Sequence, residues 1–294
     1  MMKRKRTVLV VDDTVANLDI LVELLSDYDI IESTRGEDAL EIIGQEQIDL
    51  ILLDIVMPGM DGYTVCQRLK HDLRYAEIPV IFITSMSDEA AIEKAYDAGA
   101  VDYVTKPFKP KELLARVRIQ IEHLELIEKL EFLASHDPMT GIYNRRKFFE
   151  LAEKVFRRKP HNLYAAMIDI DRFKSINDSY GHPVGDQVIR GVAAIIQESI
   201  DEHNIFGRLG GEEFALLGCY SSREQVTSHL EKVREKVEAM VVEADSGELL
   251  SCTICVGIAE NNITIKNLDE LLSQADKMLY EAKGTGRNRV IFRI

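Results

Sequence analysis

The sequence has no apolar run that approaches the roughly 20 residues a membrane-spanning helix requires. Residues 1–6 are basic, as at the start of a secretory signal, but the apolar stretch behind them meets Asp12 and Asp13 within a few positions. That stretch is too short for the apolar core of a signal peptide. These two absences predict a cytoplasmic protein without membrane insertion.

Basic residues are also scarce. Lys and Arg number 36 against 50 Asp and Glu, so the formal net charge is -14. Broad binding to nucleic acid depends on Lys and Arg side chains that neutralise phosphates, and this balance argues against it. No helix-turn-helix or zinc-finger pattern is present. We therefore expect no nucleic-acid partner.

Cysteine is another sparse residue type, with four scattered copies at positions 66, 219, 252 and 255. Cys252 and Cys255 have the spacing of a redox motif, but they lie in an apolar run that predicts a strand over 249–259. Because side chains alternate across a strand, these two thiols should face opposite sides. No second pair completes a zinc site, so we expect packed, reduced thiols.

The length of 294 residues favours two domains, and the apolar fraction of 46% is ordinary for a globular protein. Helix and strand patterns alternate over residues 7–123, which predicts a doubly wound parallel sheet with crossover helices. The predicted strands are residues 8–11, 50–53, 80–83 and 101–105. Their carboxyl ends carry polar side chains, namely Asp12 with Asp13, Asp54, Thr84 and Lys106. Function collects at this edge of a parallel sheet, so we expect these side chains to form one site.

The acids at this edge indicate phosphoryl chemistry. Clustered carboxylates repel one another, so a divalent cation is their natural occupant, and an aspartate beside Mg2+ can accept a phosphoryl group. Residues 1–123 resemble the flavodoxin-like receiver domain of two-component response regulators. The resemblance implies that Asp54 is the phosphoacceptor and that a cognate histidine kinase or another phosphodonor is the partner. The implied ligands of one Mg2+ are Asp12, Asp13, Asp54 and Val56, and the implied switch residues are Thr84, Tyr103 and Lys106.

Residues 110–135 predict one long helical connector. Pro110 suits a helix start, and no Gly or further Pro follows before Pro138. The first part has the 3-4 spacing of a coiled-coil seam, and a neighbouring stripe takes over near residue 124. The first stripe is Leu114, Val117, Ile121 and Leu124, and the second is Ile119, Leu126, Leu130 and Leu133. Two interpretations stay open: a helix that packs on the first domain and then on the second, or a parallel dimer stalk whose pairing differs between states.

Residues 210–214, Gly-Gly-Glu-Glu-Phe, are the most informative stretch of the second half. Two glycines between strand-like flanks predict a hairpin turn, and they let a large ligand approach the backbone. A second apolar strand, 164–171, ends in Asp169 and Asp171, which share one face because they are two positions apart. If it pairs with the hairpin, Asp169 and Glu212 converge on a metal cluster, and oxygen ligands favour Mg2+ or Mn2+ over zinc. Taken alone, the hairpin is equally compatible with a solvated turn.

Four separated motifs agree with this interpretation, at residues 137–146, 169–178, 210–214 and 282–289. Together they resemble the GGDEF family of diguanylate cyclases. The resemblance implies a palm-like α/β domain over residues 136–294 that condenses two GTP molecules into cyclic di-GMP and two pyrophosphates. One domain binds one GTP, so the resemblance implies a homodimer when active, with two Mg2+ (or Mn2+) ions in each half-site.

The resemblance also implies individual roles. Asp169, the carbonyl of Ile170 and Glu212 would bind the metals, and Glu212 and Glu213 would be the catalytic acids. The implied GTP-binding residues are Lys174, Asn177, His182, Asp186, Gly210, Gly211, Lys283 and Arg287. By themselves, residues 283–287 favour a basic turn before the last strand over a phosphate-binding segment.

One position departs from the family. Many relatives carry Arg-x-x-Asp ahead of the hairpin as a product-inhibition site, whereas Asp201 and Asn204 stand at the matching positions here. An acid at residue 201 repels phosphates, so we expect no inhibition through this site.

Regulation is expected to start at the receiver. Phosphorylation of Asp54 adds about -1.5 to -2 charge and should favour a receiver that dimerises and pairs the connectors. Pairing raises the effective concentration of one cyclase domain for the other. The alternative function is a catalytically inactive receiver-GGDEF protein that serves as a nucleotide-binding signalling module.

Overall fold

The computed structural model describes residues 4–85, 89–107, 109–158, 162–244 and 247–292. The chain divides into two compact units, residues 1–129 and 130–294.

The first unit is built on a five-stranded parallel sheet in the order β2-β1-β3-β4-β5. The strands are β1 (Thr7–Val11), β2 (Asp29–Ser33), β3 (Leu50–Asp54), β4 (Val80–Thr84) and β5 (Asp102–Thr105). The helices that alternate with them are α1 (Val15–Leu24), α2 (Gly36–Gln45), α3 (Gly62–His71), α4 (Glu89–Asp97) and α5 (Pro110–Ser135). This order is that of the doubly wound, flavodoxin-like fold, so the predicted fold of the first unit is confirmed.

The central strands are apolar throughout because helices cover both faces of the sheet. Leu9 and Val11 of β1 lie in one core layer, and Val8 and Val10 lie in the other. The sequence analysis missed β2, which forms the edge of the sheet next to β1. Acids at 29 and 32 and half-exposed isoleucines give β2 no continuous apolar run from which it could be recognised.

The long connector helix is confirmed as α5, but its first apolar stripe is not a free seam. Val117 and Ile121 are buried in the core of the first unit, and Leu124 packs against that core. The buried stripe begins at Leu113, whereas Leu114 is exposed. The second stripe is exposed and consists of Ile119, Leu126, Leu130 and Leu133. The first part of α5 is therefore a helix of the receiver fold, and the exposed apolar surface continues along its second half.

The second unit contains a six-stranded mixed sheet in the order β13-β12-β7-β9-β8-β6, with a separate hairpin of β10 and β11. The strands are β6 (Tyr143–Asn144), β7 (Leu163–Ile170), β8 (Ile205–Gly210), β9 (Glu213–Cys219), β10 (Val241–Glu243), β11 (Leu249–Ser251), β12 (Ile254–Glu260) and β13 (Arg289–Phe292). The helices are α6 (Arg145–Arg157), α7 (Phe173–Tyr180), α8 (His182–Ser199), α9 (Arg223–Glu238) and α10 (Leu268–Gly284).

The apolar strand predicted over 164–171 is the central strand β7, which pairs with β9 on one side and β12 on the other. Helices cover both of its faces: Ile168 lies in the layer with α8 and α9, and Met167 lies in the layer with α6 and α10. Gly257 of β12 brings α10 unusually close. A Cβ at this position would lie 2.1 Å from the backbone nitrogen of Leu279 and 2.2 Å from the carbonyl oxygen of Ala275. The backbone of α10 therefore rests directly on β12.

The apolar run over 249–259 is not one strand as expected. It is divided into β11 and β12, because β11 pairs with β10 and β12 pairs with β7. Cys252 and Cys255 lie in opposite core layers, as predicted, and all four cysteines are free. Within the described ranges, no helix has both the length and the apolar character needed to cross a membrane.

Candidate active site and phosphoacceptor site

Three carboxylates meet at the carboxyl edge of the first sheet. Ligand oxygens of Asp12, Asp13 and Asp54 lie within 4.8 Å of one another, and Asp12 and Asp54 are buried. Asp12 follows β1 and Asp54 ends β3, and these strands are neighbours in the sheet. In the part of the chain that the structure describes, this is the one group of three acidic, His or Cys ligands gathered so closely. Clustered hard oxygens of this kind suit Mg2+.

Lys106 neutralises part of this charge. Its ammonium donates to Asp12 Oδ2 at 2.7 Å and to Asp54 Oδ2 at 2.5 Å. Burial lowers the pKa of Lys106, but these hydrogen bonds outweigh burial and raise the pKa above its ordinary value. Burial raises the pKa of Asp54, although Lys106 opposes that shift. One ammonium against three carboxylates leaves a net negative pocket.

The remaining residues predicted for this site lie around the same edge. Thr84 is buried at the end of β4, next to the β3 strand that carries Asp54. The backbone N–H of Val56 donates to Asp54 Oδ1 at 3.2 Å, while its side chain is exposed. Tyr103 of β5 is half-buried and contacts Tyr96 edge-to-face, with ring centroids 6.2 Å apart.

In the second unit, β7 and the β8–β9 hairpin place two acidic segments side by side. The predicted pairing of β7 with the hairpin is confirmed, and its register sets Asp169 directly opposite Glu213. Directly opposed residues in an antiparallel pair project from the same face with Cβ atoms about 5 Å apart. Glu212 lies in the adjacent turn, and Ile170 follows Asp169 as the last residue of β7.

Asp169 is a buried carboxylate in an acidic environment. Burial, together with the charges of Glu212 and Glu213, raises its pKa to about 6, although the ammonium of Lys283 opposes the shift. Lys283, near the end of α10, places its ammonium 2.8 Å from Asp169 Oδ2. The Lys283 contact is possible because α10 is seated on β12, the other neighbour of β7. Lys283 supplies one positive charge against Asp169 and the neighbouring charges of Glu212 and Glu213, and this balance favours a bound cation.

The hairpin turn is displaced by one residue from the predicted position. Gly211 and Glu212 form the turn, whereas Gly210 ends β8 and pairs with Glu213. An irregularity in register between Arg208 and Gly210 accounts for the extra residue, as in a β-bulge. The φ angles are +153° at Gly210 and +51° at Gly211, and a Cβ at either glycine would meet no atom within 4 Å. The space beside both glycines is open.

Two helices place the residues predicted to contact the base. Asn177 on α7 faces Gly185 on α8, where a Cβ would lie 2.0 Å from Asn177 Oδ1. This Oδ1 atom is buried and has no hydrogen-bond partner among the described residues. Asp186 is the next residue of α8 and is partly exposed. Lys174 at the start of α7 and His182 at the start of α8 are exposed.

Asp169 and Asp171 contact different partners despite their shared face. Asp171 accepts hydrogen bonds from Thr253 Oγ1 at 2.7 Å and Cys255 Sγ at 2.9 Å. It also accepts one from the backbone N–H of Asn288 at 2.9 Å. Arg287 is exposed and lines a cavity of about 370 Å³ together with Asp171 and other residues between α7 and the turn before β13.

Sequence reasoning missed the role of Arg208. Its guanidinium is 3.0 Å from Asp137 Oδ1 and donates to the carbonyl of Gly211 at 2.9 Å. Asp137 also accepts from Thr140, and together these contacts lower the pKa of Asp137 against the opposing effect of burial. Arg208 thereby connects the hairpin turn to the segment that precedes β6. A sequence separation of 71 residues gives no local signal for this pair.

The segment at residues 201–204 forms a tight turn before β8, in which the N–H of Asn204 donates to the carbonyl of Asp201. It borders a cavity of about 560 Å³ whose other walls include Val155, Leu217 and Cys219. Asp201, Glu202 and His203 are exposed. One wall of this cavity is therefore acidic, with Asp201 and Glu202 among its residues.

The comparisons with known proteins agree with this geometry. The family model described as "Diguanylate cyclase, GGDEF domain" matches residues 134–289, and the model "Response regulator receiver domain" matches residues 8–118. The chain belongs to the GGDEF family. It joins a receiver domain to a GGDEF domain of diguanylate cyclase type.

Individual relatives are similar in sequence over much of the chain. Response regulator PleD of Caulobacter vibrioides is 28% identical over 296 residues, which cover 97% of this chain and 65% of PleD. Diguanylate cyclase DgcM of Escherichia coli K12 is 33% identical over 241 residues, 81% of this chain and 56% of DgcM. The chain spans less than two thirds of the length of either relative.

Solved GGDEF structures resemble the chain as well. The structure of the coiled coil and GGDEF domain of DgcB from Caulobacter crescentus in complex with c-di-GMP is 31% identical, with a TM-score of 0.55. It covers 61% of this chain and 97% of the DgcB chain. Diguanylate cyclase SiaD of Pseudomonas aeruginosa, in complex with its activator SiaC, is 33% identical with a TM-score of 0.52, covering 62% of this chain and 71% of SiaD.

Proposed function

We propose that this protein is a diguanylate cyclase that condenses two GTP molecules into cyclic di-GMP and two pyrophosphates, under the control of phosphorylation at Asp54. The observation that carries the proposal is the register of β7 with the hairpin, which opposes Asp169 and Glu213 beside an open glycine turn. Family membership and the DgcM and SiaD similarities support it.

Divalent cations fit the residues present. In the GGDEF unit, Asp169, the Ile170 carbonyl and Glu212 would hold Mg2+ or Mn2+, and two ions per half-site suit phosphoryl transfer. The buried Asp169 carboxylate already pairs with the ammonium of Lys283, so positive charge is favourable at this position. When bound, the ions would supply charge that offsets the negative phosphates of the substrate. In the receiver, Asp12, Asp13, Asp54 and the backbone near Val56 would hold one ion.

The chain's own residues would bind and orient GTP. Asn177 and the Asp186 carboxylate can pair with the N1–H and amino group of guanine, a donor pattern that adenine lacks. Lys174, His182, Lys283 and Arg287 would contact or neutralise the triphosphate, and the open space at Gly210 and Gly211 admits it. The contribution of these residues is positioning and charge complementarity rather than covalent chemistry.

The reaction needs two GGDEF units face to face, because one unit binds one GTP. The 3'-hydroxyl of each nucleotide attacks the α-phosphate of the other, and pyrophosphate leaves. Glu212, next to the reacting centre, would accept the proton of the attacking hydroxyl, with Glu213 supporting the same acidic site. A homodimer is therefore the active form in this proposal.

Phosphorylation at Asp54 would control how often two GGDEF units meet. The phosphoryl group would pair with the ammonium of Lys106, which now contacts Asp12 and Asp54. It would also contact Thr84 at the end of the adjacent strand. Tyr103 lies on the neighbouring strand β5 and would change orientation on activation. The exposed second stripe of α5 supplies apolar surface for the connector of a second copy. A histidine kinase or small phosphodonor would deliver the phosphoryl group.

Product inhibition is expected to be absent at residues 201–204. Asp201 would repel the phosphates of cyclic di-GMP, and no arginine is present in this segment to bind them. Titrating cyclic di-GMP into the turnover assay tests this expectation, and strong inhibition that disappears on substitution of residues 201–204 would contradict it.

Turnover of GTP tests the main proposal. The full chain is incubated with GTP and Mg2+, with and without beryllofluoride, and the product is identified by mass. We expect cyclic di-GMP from the wild type, none from Asp169→Asn or Glu212→Gln, and wild-type activity from Glu202→Gln, whose side chain is 89% exposed. Beryllofluoride should activate the wild type and leave Asp54→Ala unchanged. Binding of GTP without any product would instead identify an inactive nucleotide-binding module.

A further inference from the structure

A strained turn lies between α10 and β13, next to the candidate active site. Arg287 and Asn288 are consecutive residues with φ values of +64° and +46°, and Gly286 precedes them at +124°. Left-handed backbone is unfavourable for residues other than glycine, although less so for Asn, and two such residues in a row persist only where surrounding contacts hold them. Arg287 is one of the residues expected to contact the triphosphate.

Asp171 is the buried group that holds this turn. Its Oδ2 atom accepts the backbone N–H of Asn288, the second left-handed residue, at 2.9 Å. Thr253 Oγ1 donates to the same oxygen, and Cys255 Sγ donates to Oδ1. The backbone N–H of Asp171 donates in turn to the carbonyl of Thr253. One side chain thereby joins the end of β7, the start of β12 and the strained turn.

The side chain of Asn288 completes the support from the other side. Its Nδ2 donates to Glu238 at 2.8 Å, and its Oδ1 accepts from Arg234 at 2.8 Å. Both partners belong to α9. The backbone and the side chain of Asn288 are therefore fixed by different elements, which leaves Arg287, one residue earlier, little freedom in the direction of its Cα–Cβ bond.

These contacts separate Asp171 from the metal site that its sequence spacing suggests. A carboxylate offers about four acceptor positions, and the Asp171 carboxylate already accepts hydrogen bonds from three protein donors. Asp169, two residues earlier, instead faces Lys283 and the hairpin acids. Two carboxylates with the spacing of Asp169 and Asp171 could both bind one ion, but here the two side chains have separate partners.

We propose that Asp171 is a positioning residue that holds the left-handed Arg287–Asn288 turn and so aims Arg287 at the triphosphate of GTP. The role of Arg287 rests on the proposed function, whereas the support of the turn does not. An unpaired Asn288 N–H would allow the strained turn to relax, and Arg287 would move with it.

The test compares Asp171→Ala with Asp171→Asn. Alanine removes every acceptor. Asparagine can keep its carbonyl oxygen toward Thr253 and Asn288 and place its amide nitrogen against Cys255 Sγ, so the turn is kept while the negative charge is lost. We expect Asp171→Ala to raise the KM for GTP about tenfold or more, as for loss of one hydrogen bond to a charged group, with a smaller change in kcat. Asp171→Asn should stay near the wild-type KM and require the same Mg2+ concentration.

A double variant and a protease provide independent measurements. The double variant Asp171→Ala with Arg287→Ala should have the same KM as Arg287→Ala alone, because both changes remove the same contact between Arg287 and the triphosphate. Trypsin should cleave after Arg287 faster in Asp171→Ala than in the wild type, and no faster in Asp171→Asn, as read from fragment masses. The cleavage assay needs no turnover, so it remains decisive if the wild type makes no cyclic di-GMP.

Three outcomes would overturn the proposal. The first is an Asp171→Asn variant that needs much more Mg2+ than the wild type, which would make Asp171 a metal ligand. The second is additivity of Asp171→Ala and Arg287→Ala. The third is equal trypsin cleavage at Arg287 in all variants. If Asp171→Ala does not fold, the Mg2+ requirement of Asp171→Asn decides between the two roles.

Discussion

Replacing Asp169 by Asn should stabilise the protein while it abolishes turnover. Burial and the neighbouring acids raise the pKa of Asp169 from 3.8 to about 6, with Lys283 already included in that balance. The side chain is only 8% exposed, so solvent screens little of this effect. A raised pKa means that the folded state binds the proton more tightly than the unfolded chain. Stability therefore falls as pH rises from about 4 to about 6, and above that range the full cost is present.

The magnitude follows from the shift. About two pKa units at about 1.36 kcal/mol each give a cost of about 3 kcal/mol at pH 8. Asparagine has a similar shape and no charge, so Asp169→Asn should recover up to that amount at pH 8 and almost nothing at pH 4. For a unit of this size, each kcal/mol corresponds to about 2–4 °C in the unfolding temperature.

Scanning calorimetry of the full chain in EDTA, at several pH values, measures this difference. Glu202→Gln removes an acid whose side chain is 89% exposed and serves as the matched control, with an expected change within about 0.5 kcal/mol. Added Mg2+ should stabilise the wild type more than Asp169→Asn, because the ion offsets the charge that the variant lacks. Equal or lower stability of Asp169→Asn at pH 8 would show that this carboxylate is not the source of electrostatic strain.

Three further changes test other parts of the structure. Gly257→Ala should destabilise the protein by about 3 kcal/mol or more, because the new methyl group meets the backbone of α10. Gly284→Ala places its methyl group in open space at the end of α10 and should be neutral or stabilising. Urea unfolding followed by circular dichroism compares the two variants. Gly185→Ala should raise the KM for GTP and weaken the preference for guanine over adenine by displacing Asn177, and an unchanged ratio of kcat/KM values would contradict this. Cys219 is exposed, whereas the other three thiols are buried, and burial raises their pKa values to about 11 or 12. A thiol reagent at pH 8 should therefore modify only one cysteine rapidly. Rapid reaction of two or more cysteines would contradict this prediction.

The elements that the sequence predicts well are those with a strong local pattern. The central strands of the first sheet have continuous apolar runs, and the acids after them lie together because parallel strands end at the same edge. The edge strand β2 has no such run, because an edge strand in this sheet buries little of its surface. Leu114 and Val117 belong to the same predicted apolar stripe of α5, yet Val117 lies in the receiver core and Leu114 is exposed. Periodicity defines a face of a helix but does not say what covers it.

The details of the site depend on contacts between distant segments. Asp169 and Asp171 are equivalent by spacing, and only the partners brought by α10 and β12 distinguish them. Gly185 matters because Asn177 lies against it from another helix. The bulge in β8 moves the turn by one residue because register is set by the partner strand and not by the glycine pair.

The direct seating of α10 on β12 at Gly257 limits which parts of the catalytic half can rearrange. With backbone against backbone and no side chain between them to change rotamer, α10 and the sheet are expected to behave as one rigid block that carries Lys283. Adjustments during the catalytic cycle should then lie outside this block. A spectroscopic label on the solvent side of α10 should therefore show no spectral change when nucleotide binds.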